Sequence, residues 1–113
     1  MALTLWHNPR CSKSRAALAL LTARGITPDI RLYLKEPPTE AEVKALAGRL
    51  DRPLQDIIRK GEPPYKDLAL KIADDATLAK AIVAHPILLE RPILDDGTNA
   101  IIGRPPEAIL GLL

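Results

Sequence analysis

The sequence predicts an α/β fold in which a small mixed sheet is interrupted by an all-helical stretch. Three observations carry that prediction. The first third alternates strand, helix and strand signals. The middle, entered at Pro37-Pro38, shows helical spacing without period-two alternation. The last third returns to strand signals around Asp95-Asp96-Gly97-Thr98 and closes on a helix. A chain of 113 residues fits this as one domain, 1–113, with an all-helical insertion over 36–90.

Taken in order, Leu3, Leu5 and Trp6 form the first strand, and the helix Ser14 to Arg24 follows with Ala17, Leu18, Leu20 and Leu21 as its apolar face. Gly25 ends that helix by supplying a left-handed residue. Ile30, Leu32 and Leu34 alternate with Arg31, Tyr33 and Lys35, the period of a half-buried strand. A helical connection between two such strands suits a parallel pair with a right-handed crossover. Thr39-Glu40-Ala41-Glu42 is a capping box, opening a helix with the stripe Val43, Leu46, Ala47 and Leu50. Shorter helical pieces follow over Leu54 to Arg59, Pro63-Pro64 interrupts, and a helix from Asp75 to Ala84 turns Leu78, Ala81 and Ile82 inward. Pro92-Ile93-Leu94 and Ala100-Ile101-Ile102 flank a hairpin turn. Pro105 fits the first turn of a last helix carrying Ala108, Ile109 and Leu110. The order β-α-β, helices, β-β-α is the thioredoxin-like arrangement of a mixed four-stranded sheet with a helical insertion.

Composition narrows the function. Charged residues make up 27% and apolar ones 47%, the balance of a soluble globular protein, and no apolar run is long enough to span a bilayer. The start Met1-Ala2-Leu3-Thr4 lacks the blocks of a signal peptide, and with one cysteine this points to the reducing cytoplasm. A net charge of +2, with scattered basic residues and three aromatics that form no stacking stripe, argues against nucleic acid. One cysteine and two distant histidines make a poor metal-ligand set, so no metal is expected, and His85-Pro86 reads as a helix end. Gly61, Gly97, Gly103 and Gly111 are too scattered for a phosphate-cradling loop.

The chemistry concentrates on Cys11, in the run His7-Asn8-Pro9-Arg10-Cys11-Ser12-Lys13-Ser14-Arg15. A strand–loop–helix junction sets its thiol at a helix N-terminus, where unpaired backbone N–H groups and the helix dipole favour the thiolate. Arg10, Lys13 and Arg15 add positive charge. No second cysteine is available for a disulfide, so chemistry that starts here finishes on another molecule. Ser14 completes a C-x-x-S run, and its hydroxyl is expected to donate to the sulfur. His7 either holds a charge near the sulfur or orients the loop. Arg59, Arg91 and Arg104 are candidates for an anion site, since guanidinium forks match tetrahedral oxyanions. The loop before the third strand lies beside the first helix N-terminus in this layout, which brings Arg91 towards Cys11. The Arg91-Pro92 bond is open to either cis or trans.

These runs, with Leu32-Tyr33-Leu34-Lys35-Glu36-Pro37-Pro38, Glu90-Arg91-Pro92-Ile93 and Ile102-Gly103-Arg104-Pro105-Pro106-Glu107, resemble the glutaredoxin-dependent arsenate reductase (ArsC) family, in a short sub-branch. The resemblance covers nearly the whole chain. It implies an oxidoreductase in which Cys11 is the catalytic cysteine, with His7 as the family's nearby histidine. Arg59, Arg91 and Arg104 correspond to its oxyanion-binding arginines. It further implies arsenate as substrate, glutathione as co-substrate and glutaredoxin as the resolving partner, with no bound cofactor; a monomer is expected. Two alternatives stand beside it: a thiol oxidoreductase acting on glutathione mixed disulfides or another oxyanion, and a regulator resembling the Spx proteins. The latter usually carry C-x-x-C where this chain has Ser14.

Overall fold

A computed structural model describes residues 2–113. The chain forms two compact units: one runs to Glu36 and resumes over Arg91–Leu113, and the other is Pro37–Glu90.

The first unit holds a four-stranded sheet of β1 (Thr4–Trp6), β2 (Asp29–Arg31), β3 (Ile93–Asp95) and β4 (Ala100–Ile102), in the order β2-β1-β3-β4. β1 runs parallel to β2 and antiparallel to β3, and β3 pairs antiparallel with β4. Leu5 faces Leu94 across the central pair, and both join Ala17, Leu21 and Ile109 in a fully buried core. Ala17 and Leu21 come from α1 (Ser12–Ala23), whose connection between β1 and β2 is the helical crossover expected of a parallel pair. α1 starts two residues before the sequence pattern suggests, because its first turn is polar and carries no apolar period. Cys11 occupies the N-cap. At the other end Gly25, at φ 72°, takes the left-handed position.

The second strand is shorter than its alternation suggests, and the burial is reversed. After Arg31 the chain turns, with the N–H groups of Lys35 and Glu36 both donating to the Leu32 carbonyl. Tyr33 is buried, while Ile30 and Leu34 stay exposed. β2 is an edge strand of only three residues, so period-two alternation beyond Arg31 reflects a turn. The Arg31 guanidinium lies over the Trp6 ring at 5.0 Å.

The β3–β4 hairpin turns through Asp96–Asn99, with Gly97 at φ 90°. Asp95 Oδ1 accepts the Gly97 N–H, and Asp96 Oδ1 accepts those of Thr98 and Asn99. The closing element is a 3-10 helix over Pro106–Leu112, where an α-helix from Pro105 is expected. Pro105 is extended (φ −65°, ψ 166°), so the helix begins one residue later, on a second proline with no N–H. Ile109 still buries fully.

The second unit is helical throughout. α2 (Glu40–Leu50) opens on the reciprocal capping box: the Glu42 N–H donates to Thr39 Oγ1 at 3.1 Å, and the Thr39 N–H to Glu42 Oε1 at 3.0 Å. Val43, Leu46, Ala47 and Leu50 are buried. A 3-10 turn spans Leu54–Ile57, after which Ile58 leaves the helix to bridge Leu89. α3 (Pro63–Asp67) is short, and Gln55 ties this region together by donating to the Leu70 carbonyl and accepting from the Tyr65 hydroxyl. α4 (Asp75–Ala84) is capped by Asp74, which accepts the Thr77 N–H, and buries Leu78, Ala79, Ala81 and Ile82. His85 is its C-cap. Among the described residues no helix is long and apolar enough to cross a membrane.

Candidate active site

The loop between β1 and α1 is built on Asn8, a residue that no catalytic motif marks. Its backbone carbonyl accepts the Cys11 N–H at 2.9 Å, and its side-chain Oδ1 accepts the Arg10 N–H at 3.0 Å. Its own N–H donates to Ser14 Oγ at 3.1 Å. These three bonds wind the chain from strand to helix within a few residues and set Cys11 at the N-cap. Asn before Pro at a strand end is a turn signal, and it was available in the sequence.

Burial is the largest single influence on the Cys11 thiol and opposes its ionisation. The backbone N–H groups of Ser14 and Lys13, then the hydrogen bond and positive charge of Arg91, outweigh it, and the pKa lies below the ordinary thiol value. Cys11 is half-buried, so a thiolate there remains open to attack on a ligand. The helix N-terminus thus acts on the sulfur through its first free N–H groups, as the sequence leads one to expect.

Ser14 does so through its backbone and not through its hydroxyl. The Oγ is fully buried, accepts from Asn8, and lies 2.8 Å from His7 Nδ1. It makes no hydrogen bond to the sulfur, which corrects the expectation of hydroxyl-to-thiolate donation. For His7, burial first, and then the positive charge of Arg15, lower the pKa from the ordinary value, which disfavours the charged imidazole. Its place is in the loop's bonding, anchored by its backbone N–H to the Arg31 carbonyl and by its ring to Ser14. Arg15 closes the loop from the helix, donating to the Pro9 carbonyl at 2.8 Å.

Two of the three candidate arginines meet at the sulfur. Arg91 is buried at 7% exposure and bonds to Cys11. Arg104 extends its Nη2 to 4.0 Å from Cys11 Sγ while its Nε donates to the Arg91 carbonyl at 3.0 Å. Both peptide bonds after them, Arg91-Pro92 and Arg104-Pro105, are cis. Gly103 permits this closeness: a Cβ there would lie 2.7 Å from Pro92 Cγ, and its N–H donates to the Pro92 carbonyl at 2.8 Å. Arg59 belongs to the helical unit, where it pairs with Glu90 at 3.4 Å. No group of His, Cys, Asp and Glu that could hold a metal is found among the described residues.

The sheet with its helices is a thioredoxin-like fold, and it carries a thiol of lowered pKa at a helix N-terminus beside two guanidinium groups, an arrangement able to support attack by sulfur on a negatively charged group. Comparison with known proteins shows what the chain as a whole is similar to. The ArsC family model matches residues 6–112. The arsenate reductase of Haemophilus influenzae is 43% identical over 116 residues, covering 100% of both chains. An arsenate reductase of Escherichia coli is 35% identical, covering 98% of this chain and 80% of its own length. The solved structure of an arsenate reductase from Vibrio cholerae superposes with a TM-score of 0.96 at 40% identity, covering 100% of this chain and 98% of that one. The chain belongs to the ArsC family.

Proposed function

We propose that this protein is an oxidoreductase that reduces arsenate, with Cys11 as the nucleophile. The observation that carries the reading is the convergence of Arg91 and Arg104 on a Cys11 thiol whose pKa is lowered. A thiolate approaching an oxyanion meets repulsion between like charges, and two guanidinium groups at the point of attack offset it.

In this scheme Cys11 Sγ attacks arsenic, a sulfur–arsenic bond forms, and one arsenate oxygen leaves as water. The glutathione sulfur then bonds Cys11 Sγ as the sulfur–arsenic bond breaks, its electron pair stays on arsenic, and arsenite departs. Glutaredoxin reduces the Cys11–glutathione disulfide left behind and returns Cys11 as a thiol. A chain with one cysteine requires such external thiols. The protein acts as a monomer in the reducing cytoplasm, where glutathione and a free thiol coexist. Arsenate as the substrate is supported by arsenate reductases of similar length that match from end to end.

The test is arsenite formation from arsenate with glutathione and glutaredoxin present, comparing wild type with Cys11→Ser. Turnover that falls to background in the variant is expected. Folded wild-type protein with a reactive Cys11 but no turnover above background would overturn the proposal.

A further inference from the structure

The loop that delivers Cys11 also forms one wall of a cleft the oxyanion chemistry leaves unused. His7, Pro9 and Arg10 face Leu32, Leu34 and Lys35 around a volume of about 390 Å³, within the range of small-molecule sites. His7 is only 6% exposed, with its Nδ1 committed to Ser14. Its Nε2 has no protein partner among the described residues, and His7 is one of the residues that line the cleft.

The hydrogen bonds fix which nitrogen carries the proton. Ser14 Oγ already accepts the Asn8 N–H, and the buried hydroxyl proton has one acceptor within reach, His7 Nδ1. The hydroxyl therefore donates to Nδ1, and the neutral ring keeps its proton on Nε2. His7 thus brings an N–H donor to the lining, which also holds two exposed cations, Arg10 and Lys35. Neither cation makes an ion pair among the described residues. Leu32 and Leu34 supply an apolar wall.

We propose that this cleft is the subsite for a thiol co-substrate that bears carboxylates. Its carboxylate accepts from His7 Nε2 and is met by Arg10 and Lys35, while its aliphatic portion lies on Leu32 and Leu34. The wall residue Arg10 is followed directly by Cys11, so a ligand seated here has its thiol beside the nucleophile. The inference rests on the reading that an external thiol completes the cycle. It assigns His7 to binding that thiol, a role separate from activating Cys11.

The test uses S-methylglutathione, which keeps both carboxylates and cannot react. In the wild-type protein, long-range proton–nitrogen NMR correlations should show His7 protonated on Nε2, and S-methylglutathione should shift that nitrogen. Arg10→Met combined with Lys35→Met, both exposed positions, should weaken its binding about fivefold or more and raise the thiol KM by a similar factor. His7→Phe should weaken binding about tenfold, and His7→Gln, which retains a donor, should recover part of it. A ring protonated on Nδ1, or binding unchanged in the double variant, overturns the subsite. So does an equal shift of the His7 nitrogen by inorganic phosphate alone, which would give the cleft to the oxyanion. Normal arsenate reduction with an unchanged thiol KM in the double variant removes the subsite and leaves the arsenate reading intact. Weakened S-methylglutathione binding in a protein that does not reduce arsenate supports the subsite and removes that reading.

Discussion

Ser14→Ala should destabilise the fold by about 2–4 kcal/mol while leaving the Cys11 thiol almost as acidic as before. The first part follows from what the hydroxyl touches. It satisfies His7 Nδ1 at 2.8 Å and the Asn8 N–H at 3.1 Å, and those residues are 6% and 4% exposed. Each buried polar group left without a partner costs about 1–3 kcal/mol, and partial relief by an entering water lowers the sum of the two. The second part follows from the sulfur's partners, which include the Ser14 backbone N–H and exclude its hydroxyl. Urea unfolding gives the stability change as a shift in midpoint at constant m. Iodoacetamide alkylation against pH gives the thiol pKa. A stability loss under about 0.5 kcal/mol would refute the bonding account, being no more than an ordinary surface substitution costs. An alkylation midpoint raised by about a unit or more, against the about 1.4 kcal/mol that this represents, would show the hydroxyl acting on the sulfur after all.

Further outcomes follow from the same geometry. Arg91→Met should move the alkylation midpoint of Cys11 up towards that of a free thiol, since both its hydrogen bond and its charge favour the thiolate; Arg91→Lys should retain part of the shift but lower turnover through loss of the fork. Gly103→Ala should cost about 1–3 kcal/mol, read as a lowered Tm, because the new Cβ meets Pro92 Cγ at 2.7 Å and Ile109 Cγ2 at 3.0 Å. His7 has a folded-state pKa below its unfolded value, so its contribution to stability is present above about pH 6.5 and is lost as pH falls through the folded value. Equilibrium unfolding across pH 4.5–7 should therefore show a slope that His7→Phe flattens.

What could be read from the residues was whatever local spacing determines. The capping box at Thr39, the limits of α4 and the hairpin around Gly97 each depend on neighbours within a few positions, and each lies where the sequence puts it. The approach of Arg91 to Cys11 was legible from topology, because β3 pairs beside β1. Burial at β2 was not legible: the alternation from Ile30 to Lys35 fits a strand equally well, and only the turn at Leu32 reverses it. The hydroxyl of Ser14 differs from expectation for a related reason. At one helical turn from Cys11 it could reach either the sulfur or the strand end, and His7 with Asn8 decides between them through three-dimensional contact. Asn8 itself was missed because its work is done by two backbone groups and one amide oxygen, none of which marks a chemical motif.

Arg91 and Arg104 flank the open base of one hairpin, Arg91 just before β3 and Arg104 just after β4. They are held as a pair by the bonds from Arg104 Nε to the Arg91 carbonyl and from the Gly103 N–H to the Pro92 carbonyl. The three residue pairs of the ladder put the Asp96–Asn99 tip about 10 Å from that base. The charged end and the tip can therefore vary independently. A fluorophore or peptide tag grafted at the tip would report on the protein from an exposed turn, without disturbing the cations that face the sulfur.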